Sequence, residues 1–422
     1  MSNEIQGVCV KMIAKEKESF FAGLDIGTSK IVTVIARTDK EDNIEIVGLG
    51  ESESIGLKRG VINNIDATVE SIKKSIEEAE LMAGYKIKTV WTGIAGNHIR
   101  SFNSTGMVAI RDKEVTQSDI NRVVETATAI NIPSDQKILH VLPQEFIVDG
   151  QDDIKQPIGM SGVRLEVRVH IVTGAASAAQ NIVKCIKRCG VEVGQIILQS
   201  LAAANSILSE DEKQLGTVLV DMGGGTTDVI VFSGGSIRHT GVVPIAGDQV
   251  TNDIAMALRT PTSEAEKIKL KHGICKQGLI ETNENIDVPG IGDRPNRTLS
   301  RASLAQIIEP RIEELYSLIA EIVRDSGFEE LVSSGIVMTG GTSMLQGSAE
   351  LGEDIFFRQV RIATPKYEGN LKDLISSPRY STAIGLIIEA KSQASENYEK
   401  RDKGYTADSI FNRVRSWIDG YF

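Results

Sequence analysis

The chain lacks several features, and each absence narrows its function. No run of its 422 residues approaches the ~18 consecutive apolar positions of a membrane-crossing helix, so no transmembrane span is expected. Positive charge is not in excess: 46 Lys and Arg stand against 57 Asp and Glu, a net charge of −11. That balance argues against nucleic acid as a partner, because a phosphate backbone requires a basic face. Cysteine is scarce, and Cys9, Cys185, Cys189 and Cys275 are scattered, which suits a reduced cytosolic protein. Cys185 and Cys189 lie four apart on an expected helix, but with no histidine or second pair beside them they read as small buried residues. The five histidines are dispersed, and no serine, histidine and acid group into a triad. The nucleotide signature GxxxxGK[ST] is missing. The opening MSNEIQGVCVKMIAKEKES has no secretory pattern, and residues 1–19 read as a flexible extension.

An apolar fraction of 41% and a charged fraction of 24% are those of a soluble globular protein with room for several compact units. The most informative stretch is VLVDMGGGTTDVIVF, Val218 to Phe232. Two β-branched runs flank Asp221, Gly223, Gly224, Gly225, Thr226, Thr227 and Asp228, which predicts a strand, a glycine loop and a strand. Glycines leave backbone amides bare to an anion, threonine hydroxyls donate to it, and Asp221 at a strand end suits a hydrated divalent cation. The alternative is a glycine-rich hairpin turn without function. FAGLDIGTSKIVTVI repeats the device with Asp25, Gly27, Thr28, Ser29 and Lys30. The repeat suggests two similar α/β halves, each lending a hairpin to a phosphate chain in a shared cleft.

Between the hairpins, residues 87–172 read as a small α+β insertion. In RLEVRVHIV, Leu165, Val167, Val169 and Ile171 alternate with Arg164, Glu166, Arg168 and His170, predicting one buried and one wet face. Gln199 falls at a strand-to-helix junction, where its side chain would either orient a water towards a terminal phosphate or face solvent. Glu266 and Lys269 are three apart on one helix face, placed to grip ribose hydroxyls or a base edge, or to form a surface ion pair. GIVMTGGTSMLQG repeats the strand-then-glycines theme without an aspartate, which suits close backbone approach to a base and sugar.

STAIGLIIEAK reads as the closing helix of the core, and residues 392–408 as a polar linker. A helical wheel over SIFNRVRSWIDGYF puts Ile410, Phe411, Val414, Trp417, Ile418, Tyr421 and Phe422 on one arc, with Arg413 and Arg415 at its edges. That pattern favours an amphipathic helix lying on a lipid surface over one docked on the protein itself.

LDIGTSK, VDMGGGTTD and VMTGGTSMLQG, in that order, resemble the two phosphate motifs and the adenosine motif of the actin-like ATPase superfamily. HVLPQEF, SGVRLEVRVH, AEKIKLKHG, IEPR, YSTAIGL and the amphipathic tail resemble the bacterial cell-division FtsA family within it. The resemblance implies an actin-like duplicated α/β fold with a nucleotide cleft between two lobes. Subdomain 1A would comprise residues 20–86, 173–212 and 376–391, with the insertion 1C at 87–172. Subdomain 2A would comprise 213–252 and 325–375, and 2B 253–324, followed by the linker and a membrane-targeting helix at 409–422. It further implies a peripheral protein on the cytoplasmic side of the inner membrane at midcell, which binds ATP and Mg²⁺ with at most slow hydrolysis. Such a protein polymerises with itself into actin-like protofilaments, tethers FtsZ and meets other membrane division proteins. Carried over by residue, Asp25 and Asp221 would serve the metal, and Gly27, Thr28, Ser29, Lys30, Gly223, Gly224, Gly225 and Thr226 the phosphates. Glu266 and Lys269 would serve ribose and base, Gly340, Gly341 and Thr342 the adenosine, and Arg297 and Arg311 the acidic C-terminal tail of FtsZ. Gln199 and Asp221 are the candidates for any hydrolytic step. A small-molecule kinase of the same superfamily is the alternative.

Overall fold

The computed structural model describes residues 19–39, 43–282, 284–292 and 294–402. Two five-stranded sheets organise it, and they have one topology. In the first, the central strand Phe20–Ile26 pairs antiparallel with Lys30–Thr38, which pairs antiparallel with Ile44–Glu53; on its other side it pairs parallel with Thr89–Ile94, and that with Glu192–Leu198. In the second, Thr217–Met222 is the central strand. It pairs antiparallel with Thr227–Ser233, then Ser236–Val243, and parallel on its other side with Ile336–Thr339, then Val360–Ile362. The β-branched runs form these strands because both faces of each central strand are covered. Leu24, Val218, Leu219 and Val220 are fully buried.

Helices fill the space around the sheets. The helix Ile65–Ala83 buries Val69, Ile72, Ile76 and Ala79 against the first sheet and ends at Gly84, whose φ of 63° no branched residue would accept. Its cap is Asn64, whose side chain accepts from the Ala67 amide, and Asp66 lies in its first turn. The long helix Arg301–Asp325 buries Leu304, Ile308, Ile312, Leu315, Tyr316 and Ile319 in the core of the second half. The closing helix Ser381–Asp402 lays Ala383, Ile384 and Ile387 on the outer face of the first sheet, against Val32, Val34 and Ala36. It extends through residues 392–402, which the sequence reading gave to the linker; their Ala, Glu, Gln and Lys content suits a continued helix.

The insertion sheet runs Arg100–Ala109, Arg164–Ala175, Gln136–Val148, Gln151–Ile154, with the helix Gln117–Thr128 on one face. Leu165, Val167, Val169 and Ile171 are buried there as the alternation predicts, but His170, on the expected wet face, is only 1% exposed. That face lies on Ser236–Val243, the edge strand of the second sheet. His170 Nε2 meets Thr240 Oγ1 at 3.1 Å, Ser101 Oγ donates to the Thr240 carbonyl at 2.9 Å, and Gln144 Nε2 donates to the Ile237 carbonyl at 2.8 Å.

Candidate functional site

The central strand of each sheet delivers an aspartate and then turns. Gly27 N–H donates to the Lys30 carbonyl at 3.0 Å, and Gly223 N–H donates to the Thr226 carbonyl at 3.0 Å. The two Asp-x-Gly hairpins are therefore the same turn, built once in each half. They face each other closely: a Cβ placed on Gly225 would lie 2.7 Å from Thr28 Oγ1, so only glycine fits. A third loop joins them at Gly340, whose φ of 84° and contact with Met222 and Asp221 again require glycine.

One cleft collects these loops. It is lined by Asp25, Gly27, Thr28, Ser29, Lys30, Gln199, Asp221, Gly223, Gly224, Gly225, Thr226, Gly340 and Gly341. Asp228, Arg379 and Thr382 line it as well. Thr342 stands one layer behind, its hydroxyl donating to the Gly223 carbonyl at 2.6 Å. Glu266 and Lys269 do not line the cleft. Lys269 Nζ donates to the Gly247 carbonyl at 3.1 Å and to Thr251 Oγ1 at 2.8 Å, and pairs with Glu266 at 2.7 Å. Lys269 is thus buried behind the glycine loop, since Gly247 N–H and Asp248 N–H donate to the Gly223 and Gly224 carbonyls.

Three carboxylates converge at the floor. Hairpin register places Asp221 opposite Asp228, and Asp25 comes from the other half. Burial holds the Asp25 carboxyl above its ordinary range, opposed by Lys30 and reinforced by the charge of Asp221. Burial lifts Asp221 to about 6, against the Thr382 hydroxyl and Lys30. Asp228 is pushed to about 8 by burial and then by Asp221, and its Oδ1 has no hydrogen-bond partner. Acids that resist ionising, with a buried lone pair unspent, form a place where a cation is welcome. Burial and the neighbouring Arg379 charge lower the Lys30 pKa, and its Nζ is also without a hydrogen bond, lying 4.0 Å from the Tyr380 ring centroid. Gln199 Nε2 donates to Asp25 Oδ1 at 2.9 Å and to the Ile26 carbonyl at 3.2 Å, so the side chain faces the cleft rather than solvent.

The remaining candidates lie elsewhere. Arg297 is exposed on the strand Arg297–Ser300, and Arg311 is engaged by Asp253 through two bonds of 2.6 and 3.2 Å and by Glu314. Ile410, Phe411, Arg413, Val414, Arg415, Trp417, Ile418, Tyr421 and Phe422 lie outside the described residues. Sequence reasoning missed Asp228, Arg379 and Thr382 as cleft residues. Asp228 was within reach, because a hairpin turning at Gly223–Thr226 puts it opposite Asp221; PRYST carried no such local signal.

Comparison with known proteins places the chain. The family model described as Cell division protein FtsA matches residues 218–385, and that described as SHS2 domain inserted in FTSA matches residues 96–173. The chain is 49% identical over 417 residues to Cell division protein FtsA of Pseudomonas aeruginosa, covering 97% of this chain and 100% of that one. It is 47% identical over 416 residues to the Neisseria meningitidis protein of the same name, covering 97% and 100%, and 39% identical over 416 residues to that of Escherichia coli, covering 96% and 99%. Among solved structures it is similar to the PilM-PilN type IV pilus biogenesis complex, with a TM-score of 0.63, 16% identity and coverage of 88% of this chain and 98% of that one. It is also similar to MreB5 of Spiroplasma citri bound to ADP, with a TM-score of 0.53, 14% identity and coverage of 92% and 99%. These likenesses show an actin-like fold, and the full-length identities show that the chain belongs to the FtsA family of cell-division proteins.

Proposed function

We propose that this chain is an ATP-binding, filament-forming adaptor that tethers FtsZ polymers to the cytoplasmic face of the inner membrane at midcell and helps recruit other membrane division proteins. The observation that carries the reading is the meeting of two equivalent Asp-x-Gly hairpins and the Gly340–Gly341 loop in one cleft between duplicated halves. Gly27 and Gly223 close the two turns with their own N–H groups, and the amides of Gly224 and Gly225, the hydroxyls of Thr28, Ser29 and Thr226, and the Lys30 cation suit a polyphosphate. A related fold, MreB5, has been seen bound to ADP and to AMPPNP, which supports an adenine nucleotide here. Asp25 and Asp221, with Asp228, would hold Mg²⁺. No group of three or more Asp, Glu, His or Cys among the described residues is placed to cage a metal, so these carboxylates would act largely through the ion's water shell. Bound Mg²⁺ would supply neutralisation of phosphate charge. Gln199, tied to Asp25, positions that carboxylate, and turnover on this reading is slow.

Glu266, Lys269 and Thr342 back the glycine loop and shape the ribose and base end. Arg297 and Arg311 belong to the surface that receives the acidic FtsZ tail. The subdomain partition proposed from the family pattern follows the same scheme, with 1C as the insertion. Among the described residues no helix is long and apolar enough to cross a membrane, so attachment falls to the amphipathic residues 409–422. Full burial of a large apolar side chain contributes ~1.5–3 kcal/mol, but an interfacial helix buries its face only partly and must fold there. One tail is a weak anchor, and a filament gathers many tails without adding a contact. Membership of a cell-division family does not favour the kinase alternative.

The test is flotation with anionic liposomes, comparing the full chain with one ending at Asp408, each with and without Mg-ATP. Flotation of the full chain alone, enhanced by ATP, supports tethering coupled to assembly. Equal flotation of both chains removes the tail as the anchor.

A further inference from the structure

Between the first sheet and the helix Ile65–Ala83 lies a minimal hairpin, Leu57–Lys58 paired with Val61–Ile62, whose two-residue tip is Arg59–Gly60. Both tip residues are left-handed, with φ of 50° and 75°. Two-residue turns with positive φ match the twist of a hairpin, but they ordinarily take Asn or Asp before Gly, and an arginine there is strained. Strain of this kind persists where surroundings fix the backbone, and here they do. Gly60 lines the cleft, and its N–H donates to Thr28 Oγ1 at 3.0 Å. A Cβ on Gly60 would lie 2.8 Å from Gly96 Cα and 2.9 Å from the Ala95 carbonyl oxygen. On the far side, a Cβ on Gly225 would lie 2.8 Å from Arg59 Cα and 3.0 Å from Arg59 N. The tip is therefore tied to the first half by the Thr28 hydroxyl and seated, backbone against backbone, on the second half at Gly225 and on the Ala95–Gly96 link into the insertion.

We propose that the Arg59–Gly60 turn is a strap that keys the two phosphate-side loops together and sets how fast a bound nucleotide leaves; the inference rests on the nucleotide reading of the cleft. Two physical consequences carry it. A hydroxyl that accepts from Gly60 N–H turns its own hydrogen elsewhere, so the strap frees the Thr28 O–H to donate to an anion in the cleft. The halves also cannot part at the phosphate end without drawing Gly225 off Arg59, so opening and strap release are one event. Arg59 and Gly60 are positioning residues on this account, acting through Thr28 and Gly225.

The experiment uses the full chain with a fluorescent ATP analogue and Mg²⁺, chased with unlabelled ATP in a stopped-flow instrument, beside adenosine affinity by calorimetry and thermal melting. Arg59→Pro cannot adopt positive φ, and Gly60→Ala collides with Gly96. Each is expected to speed release by about 10-fold or more while leaving adenosine affinity within about 2-fold, since most affinity differences between related complexes lie in dissociation. Arg59→Asn, at ease in the left-handed region, is expected to recover slow release. Release at the wild-type rate in both disrupting variants overturns the proposal. So does an equal loss for ATP analogue and adenosine, or a melting temperature too low for a folded cleft in Arg59→Pro with unchanged release in Gly60→Ala, either of which would make the turn mere packing. A wild-type chain that binds adenosine but not the ATP analogue overturns the phosphate reading itself, and the strap with it.

Discussion

Nε2 of His140 accepts the backbone N–H of Leu198 at 2.9 Å. Leu198 precedes Gln199 at the junction of the strand Glu192–Leu198 and the helix Gln199–Ile207, so a strand that enters the insertion fixes the point from which Gln199 reaches Asp25. The ring can accept only when neutral at that nitrogen, and burial pushes its pKa down to about 4. The unfolded chain, with an ordinary value of ~6.5, therefore binds the proton first as pH falls. The contribution is complete above pH ~6.5 and is lost as pH falls through the folded value. Urea unfolding as a function of pH is expected to show a decline of roughly 3 kcal/mol from this group. His140→Gln keeps an acceptor and cannot titrate, so its curve should be flatter across that window; matching slopes would remove His140 as the titrating group.

Asp221→Ala has two opposed effects. It relieves the repulsion that raises Asp25 and Asp228, and it removes a carboxylate from the cation's surroundings. Loss of the second should dominate when Mg²⁺ is present, weakening Mg-ATP binding by ~10–100-fold, with adenosine affinity unchanged. Calorimetry with and without Mg²⁺ separates the two, and an unaltered Mg-ATP affinity would count against the carboxylate floor.

Trp417→Glu places a charge in the middle of the apolar arc of the C-terminal residues. Flotation with anionic vesicles is expected to disappear while ATP affinity stays within about 2-fold, because an interfacial helix depends on its apolar face and the cleft does not. Retained flotation would mean that residues 409–422 do not hold the membrane.

Arg297 and Arg311 should differ. Arg311 is already neutralised by Asp253 and Glu314, whereas Arg297 stands exposed on its hairpin. Arg297→Glu is therefore expected to weaken binding of an acidic FtsZ tail peptide by about 10-fold, with no change in melting temperature. Arg311→Ala leaves Asp253 and Glu314 facing each other and should lower stability by about 1 kcal/mol as well. Fluorescence anisotropy and thermal melts read both effects, and an unchanged dissociation constant in Arg297→Glu takes that residue off the surface.

The cleft was legible because its residues are local. Asp25 and Asp221 each sit between β-branched runs and a glycine turn, so strand, loop and chemistry fall within one short window, and the repetition of that window announced the duplicated halves. What depended on distant partners was not legible. Alternation along Arg164–Ala175 separated two faces, but it carried no sign that Ser236–Val243 covers the second, and so His170 looked wet. The spacing of Glu266 and Lys269 gave a shared helix face without revealing that Gly247 and Thr251 bury the lysine. Arg379 reaches the cleft only because the chain returns from the second half to the first, a path that no local pattern encodes.

That return also settles where a load enters the molecule. The chain leaves the first half after the helix Gln199–Ile207, builds the second sheet, and comes back to lay Ser381–Asp402 on the first sheet through Ala383, Ile384 and Ile387. Whatever is joined beyond Asp402 is bolted to the first half and its insertion. A pull applied through Asp402 would be borne first by that apolar seat, whose opening turn also carries Thr382 into the cleft, and the first half would be the fixed frame. The second half is joined to it by one outgoing and one returning crossing of the chain, by the insertion's contacts on Ser236–Val243 and by the Arg59–Gly60 turn on Gly225, so a force applied there would be resisted at those points, which flank the cleft.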